Sequence, residues 1–295
     1  MNFFKNKVST GVAVVTPFKR DGSVDYVSLG NIINYLIESK VDFLVALGTT
    51  GETSTLTKNE RKKIFRIFKE CNNFRVPLLM GIGGNDTSKV INDINEYYIN
   101  DFDAILSVTP YYNKPSQLGL YKHYMKLDLN VKAPLFIYNV PGRTGVNIQS
   151  ETVISLSKNS KNIIGIKDAS GNLNQAKNII ENTNKNFIFL SGDDATALET
   201  AQLGGNGVIS VIAGAYPKLF IDAMKTAEKK LDILDFKEKI QPIIDLAYKE
   251  GNPTGIKAIL KQKKLCDYFV RLPLVEASES LSQEIKNYIS RQNIY

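Results

Sequence analysis

Eight short runs rich in β-branched and other apolar residues recur along the chain, at residues 11–15, 42–47, 77–82, 104–108, 134–138, 163–166, 187–190 and 207–212. Each is too short for a helix and is bounded by turn-forming residues, the pattern of a strand buried on both faces. Between the runs, apolar residues fall at helical spacing. Leu29, Ile32, Ile33, Leu36 and Ile37 form one stripe after the first run, and Val90, Ile91, Ile94, Tyr97 and Tyr98 another after the third. Thr57 and Glu60 make a T-x-x-E capping box that opens a helix after the second.

A helix between consecutive strands returns the chain to the same end of the sheet, so the strands are parallel. Eight such units in 295 residues suit a closed barrel better than an open doubly wound sheet. No G-x-G-x-x-G or Walker loop follows the first run, which argues against a nucleotide-binding sheet. The expected fold class is α/β, a (β/α)8 TIM barrel over residues 1–230. Beyond it the strands stop. Residues 232–248, 254–263 and 281–291 read as helices separated by turns at 250–253 and 271–273, giving a C-terminal helical extension over 231–295 that packs on the barrel.

Composition removes several chemistries. The chain has one histidine, His123, whereas triads, zinc sites and facial triads usually draw on one or more. His123 lies in a predicted helix and reads as structural. Cys71 and Cys266 have no CxxC spacing, so neither a disulfide framework nor a thiolate metal site is indicated, and both read as inert. No metal and no cofactor are expected. The formal net charge of +7 comes from lysines spread along the whole chain, rather than from a basic stripe interleaved with aromatics. A solvated surface is therefore expected and a nucleic-acid partner is not, although the field still attracts small anions. Residues 1–10 offer no apolar signal core, and the run at 11–15 is far too short to span a bilayer. The expectation is a cytoplasmic protein without a membrane partner.

In such a barrel chemistry gathers at the C-terminal strand ends. Lys167 follows Ile163-Ile164-Gly165-Ile166, a setting in which an amine becomes a nucleophile toward a ketone. Alone it could equally be a lysine reaching from a strand end to solvent. An imine on lysine needs a proton shuttle, and with one histidine in the chain a tyrosine is the available acid and base. Tyr138 ends the fifth run and suits that role; alone it would read as a core tyrosine with its hydroxyl satisfied at the rim. Thr49 and Tyr112 could relay its proton outward. Gly48-Thr49-Thr50-Gly51-Glu52 sets two hydroxyls and backbone amides between glycines, a cradle for a small carboxylate or else an ordinary strand-to-helix turn. Arg143, one of seven arginines among 37 basic residues, lies in the turn Pro141-Gly142-Arg143-Thr144-Gly145, where it can grip a carboxylate or form an internal ion pair.

In this order and spacing, the segments at 48–52, 109–116, 138–145, 165–168 and 204–210 resemble the dihydrodipicolinate synthase family of pyruvate-dependent aldolases, from Gly11 to about Pro273. The resemblance implies a Schiff-base lyase that condenses pyruvate with L-aspartate 4-semialdehyde to 4-hydroxy-tetrahydrodipicolinate, in lysine and diaminopimelate biosynthesis. By it Lys167 forms the imine, Tyr138 donates and accepts protons, and Thr49 with Tyr112 completes the relay. Thr50 and Ile209 hold pyruvate, Arg143 binds the carboxylate of the semialdehyde, and Gly192 is a backbone contact near the imine. Tyr112 would come across a tight-dimer interface, with two such dimers forming a homotetramer.

A sister aldolase acting on sialic acid or a keto sugar acid would share Lys167, Tyr138 and the Gly48 loop; Arg143 together with Tyr112 favours the semialdehyde. A non-catalytic ligand-binding barrel should have lost some of these residues, and none is lost. The resemblance also assigns an L-lysine effector site to Ser54, Lys58, Arg61, Asn85, Lys89 and Tyr111. Lys89 stands where sensitive members carry an acid, and Lys58 and Arg61 add cations, so weak or absent feedback inhibition is expected.

Overall fold

The computed structural model describes residues 7–97 and 102–291; residues 1–6 and Tyr98, both weighed above, lie outside the described residues. Eight parallel strands close into a barrel in chain order: β1 (Ser9–Ala13), β2 (Phe43–Ala46), β3 (Leu78–Gly81), β4 (Ala104–Val108), β5 (Leu135–Asn139), β6 (Ile163–Asp168), β7 (Ile188–Ser191) and β8 (Gly207–Ser210). Each apolar run is a strand, and the fold is the α/β TIM barrel that their alternation with helices implies. Most of the strand ends lie one or two residues from those of the runs, and two of these differences have plain physical reasons. β1 begins at the polar Ser9 and Thr10 because β8 offers them Gly207 and Val208 as ladder partners. β6 continues past its apolar run, so that Lys167 lies within the strand, paired with Tyr138 on one side and Leu190 on the other.

Side chains alternate across the barrel wall as the two-residue strand period requires. Val12, Leu44, Met80, Ile105, Ile137, Ile166 and Val208 face the helices, while Ala13, Phe43, Val45, Leu79, Leu106, Phe136, Leu190 and Ile209 fill the interior. At roughly 1.5–3 kcal/mol for each large side chain taken fully out of water, these two layers are the main drive for closure.

Helix α1 (Tyr26–Glu38) buries all five residues of its stripe and is capped by Asp25, whose carboxylate accepts from the amides of Val27 and Ser28. The capping box opens α2 (Lys58–Asn72), with Thr57 and Glu60 satisfying each other's backbone amides. In α3 (Thr87–Tyr97) Val90, Ile94 and Tyr97 are buried, and Ile91 packs half-buried against the core. The outer ring continues through α4 (Gln117–Asn130), the single turn α5 (Pro141–Thr144), α6 (Ser150–Asn159), α7 (Leu173–Asn182), α8 (Ala197–Gln202) and α9 (Pro217–Glu228).

Three further helices follow, α10 (Leu234–Tyr248), α11 (Thr254–Gln262) and α12 (Glu279–Arg291), and α11 packs against both of the others. Every residue of α11 from Thr254 to Leu260 is buried, Lys257 included.

His123 is buried in α4, its Nδ1 2.8 Å from Thr87 Oγ1, and burial lowers its pKa to about 4. It packs between helices and does not line the cavity described below. Both thiols are free; burial pushes Cys266 up to about 12 and also raises Cys71. Among the described residues no helix is long and apolar enough to cross a membrane, and no group of three His, Cys, Asp or Glu side chains could hold a metal ion.

Candidate active site

An irregularity in the β5–β6 ladder sets the geometry of the barrel mouth. Leu135 pairs with Ile163, but Phe136 pairs with Gly165, so β6 takes in one extra residue. Without that extra residue Tyr138 would lie opposite Ile166 and Lys167 would be out of step with it. With it, Tyr138 and Lys167 are registered neighbours, both facing the interior. Gly165 makes the irregularity possible: a Cβ there would fall 2.4 Å from the Ile188 carbonyl oxygen and 2.6 Å from the Phe136 ring. The next residues along, Asn139 and Asp168, point outward and hold the register. Asn139 Nδ2 donates to Asp168 Oδ1 at 3.0 Å, and Asp168 also accepts from the Ser170 amide and from Gln175 Nε2.

Lys167 is buried, and its Nζ lies 4.3 Å from the centroid of the Tyr138 ring. The phenolic oxygen of Tyr138 lies 3.4 Å from Thr49 Oγ1. Gly192 packs against the lysine from β7's end. Any side chain at 192 would fall 2.7 Å from Lys167 Cε, so only glycine leaves the amine its space. Ile209 closes the interior from β8, in register with Gly11.

A cavity of about 290 Å³ opens from this point. Thr49, Tyr138 and Arg143 line it, and it extends to Ser54, Arg61 and Tyr111. Arg61 Nη2 donates to the Thr53 carbonyl, while its Nε is buried without a hydrogen-bond partner. Lys58 instead turns to Glu96 at 3.1 Å, and Asn85 Nδ2 donates to the Tyr111 carbonyl.

The loop after β2 folds as the 3₁₀ turn Thr49–Gly51, with Glu52 in the left-handed region at φ 51°. Thr50 is buried, and its Oγ1 accepts from Asn252 Nδ2 at 3.0 Å. Arg143 Nη2 donates to the Asn252 carbonyl at 3.1 Å, so one residue of the C-terminal extension touches both candidate carboxylate subsites. Behind the loop, Glu52 Oε1 pairs with Lys257 Nζ at 2.5 Å with both side chains almost wholly buried, and Glu52 Oε2 accepts from the Arg271 amide. Arg271 in turn grips Glu60 at 2.6 Å and lies over the Phe18 ring. On the opposite side Asp194 is buried. It accepts from Ser210 Oγ, from the amides of Val211 and Ile212 and from Tyr248, and burial pushes its pKa up to about 6.

Thus Lys167, Tyr138, Thr49, Thr50, Arg143, Gly192 and Ile209 converge on the mouth. Tyr112 does not. It is 87% exposed and makes no hydrogen bond among the described residues, and it holds φ 76°, a backbone region that costs a bulky side chain about 1–3 kcal/mol. Asn252, Lys257 and Arg271 were not singled out from the sequence, which read 250–253 and 271–273 only as turns. One signal was available for the second of them: Lys257 sits between Ile256 and Ile259-Leu260, a charge on the apolar stripe of its helix.

Comparison with known proteins gives a consistent picture. The family model of the dihydrodipicolinate synthetase family matches residues 7–292. A 4-hydroxy-tetrahydrodipicolinate synthase of Cytophaga hutchinsonii is 46% identical over 282 residues, covering 94% of each chain. One of Flavobacterium psychrophilum is 44% identical over 282 residues, covering 94% of this chain and 96% of its own. Among solved structures, the dihydrodipicolinate synthase of Acinetobacter baumannii complexed with pyruvate superposes with a TM-score of 0.93 at 37% identity, covering 98% of this chain and all of that one.

Proposed function

The chain belongs to the dihydrodipicolinate synthetase family and is an enzyme of 4-hydroxy-tetrahydrodipicolinate synthesis, on the route to lysine and diaminopimelate, and on that premise we propose that it condenses pyruvate with L-aspartate 4-semialdehyde through an imine on Lys167. The observation that carries this reading is the buried Lys167 amine over the ring of Tyr138, a residue that itself lines the cavity together with Thr49 and Arg143. The amine adds to the ketone carbon of pyruvate. Tyr138 protonates the departing hydroxyl as water, then takes a proton from the methyl carbon to leave the enamine. The enamine carbon bonds to the aldehyde carbon of the second substrate while Tyr138 gives its proton to the aldehyde oxygen, which becomes the hydroxyl, and the substrate's amine then displaces Lys167 as the ring closes. The imine is itself the electron sink, so this chemistry calls for no cofactor and no metal.

Thr49 is the first relay for the tyrosine proton. Thr50 and Ile209 hold pyruvate, Gly192 supplies backbone beside the imine, and Arg143 takes the carboxylate of the semialdehyde. Tyr112, projecting from the chain in a strained conformation, completes the relay in the site of a second copy, within a tight dimer that pairs again to a homotetramer. The experiment that tests the reaction is an initial-rate assay of the purified protein with pyruvate and L-aspartate 4-semialdehyde, set against N-acetylneuraminate cleavage. Cleavage of the sugar acid in preference to the condensation would overturn it.

The Arg143→Ala variant is expected to raise KM for the semialdehyde by about tenfold or more, in keeping with loss of a bidentate charge-assisted contact, while imine formation with pyruvate is largely kept. Equal loss of both steps would remove Arg143 from that role.

Feedback by L-lysine should be weak or absent. Arg61 presents a permanent cation to the cavity beside Ser54 and Tyr111, Lys89 adds positive charge on α3 and Lys58, paired with Glu96, adds it on α2, so an effector of net charge +1 with two ammonium groups meets like charge. An initial-rate titration with L-lysine at subsaturating pyruvate measures this, and strong inhibition at submillimolar effector would contradict it.

A further inference from the structure

We propose that Asn252, contributed by the C-terminal extension, is a positioning residue that sets the direction in which the Thr50 hydroxyl donates, and so makes Thr50 a donor to the carboxylate of pyruvate. This rests on the reading of Thr50 as a pyruvate contact. A threonine hydroxyl has one hydrogen and can also accept. The Asn252 amide nitrogen, 3.0 Å from Thr50 Oγ1, has hydrogens and no accepting lone pair, so it occupies the accepting side of the hydroxyl. The hydroxyl hydrogen must therefore go elsewhere. Thr50 is 3% exposed, so that hydrogen has little bulk water to meet, and an anion is its natural partner.

The amide is not oriented by its other end, because Asn252 Oδ1 is buried without a hydrogen-bond partner. A buried acceptor left unsatisfied costs about 1–3 kcal/mol, and what places the residue against Thr50 is the hold on its backbone. Two features hold it. The Asn252 carbonyl is fixed by Arg143 Nη2, and the segment that carries Asn252 leads directly into the buried helix α11, whose Lys257 is locked to Glu52 two residues beyond Thr50. The extension thus approaches the Gly48 loop at two points, one electrostatic and one that fixes the polarity of a substrate contact.

The test is steady-state kinetics of the full-length enzyme with Asn252→Asp, Asn252→Ala, Thr50→Val and the double variant Asn252→Asp/Thr50→Val, with thermal unfolding of each. Aspartate has the shape of asparagine but an ionised carboxylate only accepts, so it takes the Thr50 hydrogen and reverses the polarity. Asn252→Asp is expected to raise KM for pyruvate by about tenfold or more with a smaller change in kcat, whereas Asn252→Ala, which leaves the hydroxyl free to donate, raises it by less than about threefold. In the Thr50→Val background the aspartate should add little, because it acts through the hydroxyl.

An unchanged KM in Asn252→Asp, or the same increase with and without the Thr50 hydroxyl, would overturn the proposal, the second by showing direct repulsion of pyruvate. If Asn252→Asp does not fold, Asn252→Ala and the double variant Asn252→Ala/Thr50→Val decide: a rise in KM for pyruvate that is lost without the Thr50 hydroxyl supports the proposal, and an unchanged KM, or a rise that persists without the hydroxyl, would overturn it. Thr50→Val with an unchanged KM for pyruvate would instead remove Thr50 from the pyruvate subsite, a different failure from that of Asn252.

Discussion

Lys167→Ala is expected to fold like the wild type and to lose about a thousandfold or more in turnover, because it removes the atom that forms the covalent bond. The two halves of this expectation have separate physical grounds. Lys167 is buried among Tyr138, Leu190 and Gly192 at the strand end, and Tyr138 lines the open cavity, so truncation is expected to leave a space continuous with that cavity rather than a dry void in the helix-facing core. The stability loss should stay below about 2 kcal/mol. The loss of rate has no such relief, since the other lysines on the surface cannot reach the Tyr138 phenol. Lys167→Arg sharpens the comparison. It keeps a cation over the ring, yet a guanidinium that never deprotonates forms no imine, so it should be as inactive as the alanine variant. Lys167→Arg retaining a tenth of wild-type turnover would show that the charge at 167, and not a covalent bond, is what the reaction uses, and Lys167→Ala retaining as much would show that it uses neither.

The largest effect on stability is expected for Lys257→Ala, at about 3–5 kcal/mol, the usual consequence of leaving one member of a buried ion pair uncompensated. Both side chains of the Lys257–Glu52 pair are essentially without solvent contact, and Lys257 Nζ also donates to the Phe269 carbonyl at 2.8 Å, so its loss strands one buried and one partly buried acceptor. Among the described residues the Glu52 carboxylate then keeps the Arg271 amide alone. A Lys257→Met/Glu52→Gln double variant replaces both charges with groups of similar shape and should recover most of the loss, since the pair's cost lies in breaking it rather than in lacking it. Chemical denaturation of the three proteins measures this. A Lys257→Ala loss below about 1 kcal/mol would mean that the carboxylate of Glu52 finds water or another partner, and that the extension does not anchor the loop through this contact.

The barrel was legible in the sequence because each of its strands is buried on both faces, which leaves a continuous apolar run for the eye to find, and because crossover helices show their stripes at a different period. The site was legible to the extent that its residues sit at the ends of those runs. Lys167 and Tyr138 are recognisable as strand-end residues, but the extra residue in β6 that brings them into register leaves no mark beyond Gly165, since glycine has several reasons to stand in a strand.

The contribution of the extension was not legible. Asn252 looks like an ordinary turn residue until the fold brings it to Thr50, 202 positions away, and Arg271 likewise until it reaches Glu60. Contacts of this kind depend on the packing of one segment against another, which periodicity along the chain does not encode. Tyr112 is the reverse case. The motif that carries it was plain, yet within one chain it reaches none of its expected partners.

The proposed reaction depends on the covalent bond at Lys167, and borohydride reduction in the presence of pyruvate, followed by mass analysis of the proteolysed enzyme, tests it most directly. The predicted result is a stable pyruvyl adduct on the peptide containing Lys167, formed only when pyruvate is present and not formed in Lys167→Ala. Active enzyme that yields no adduct, or an adduct carried by another lysine, would contradict it.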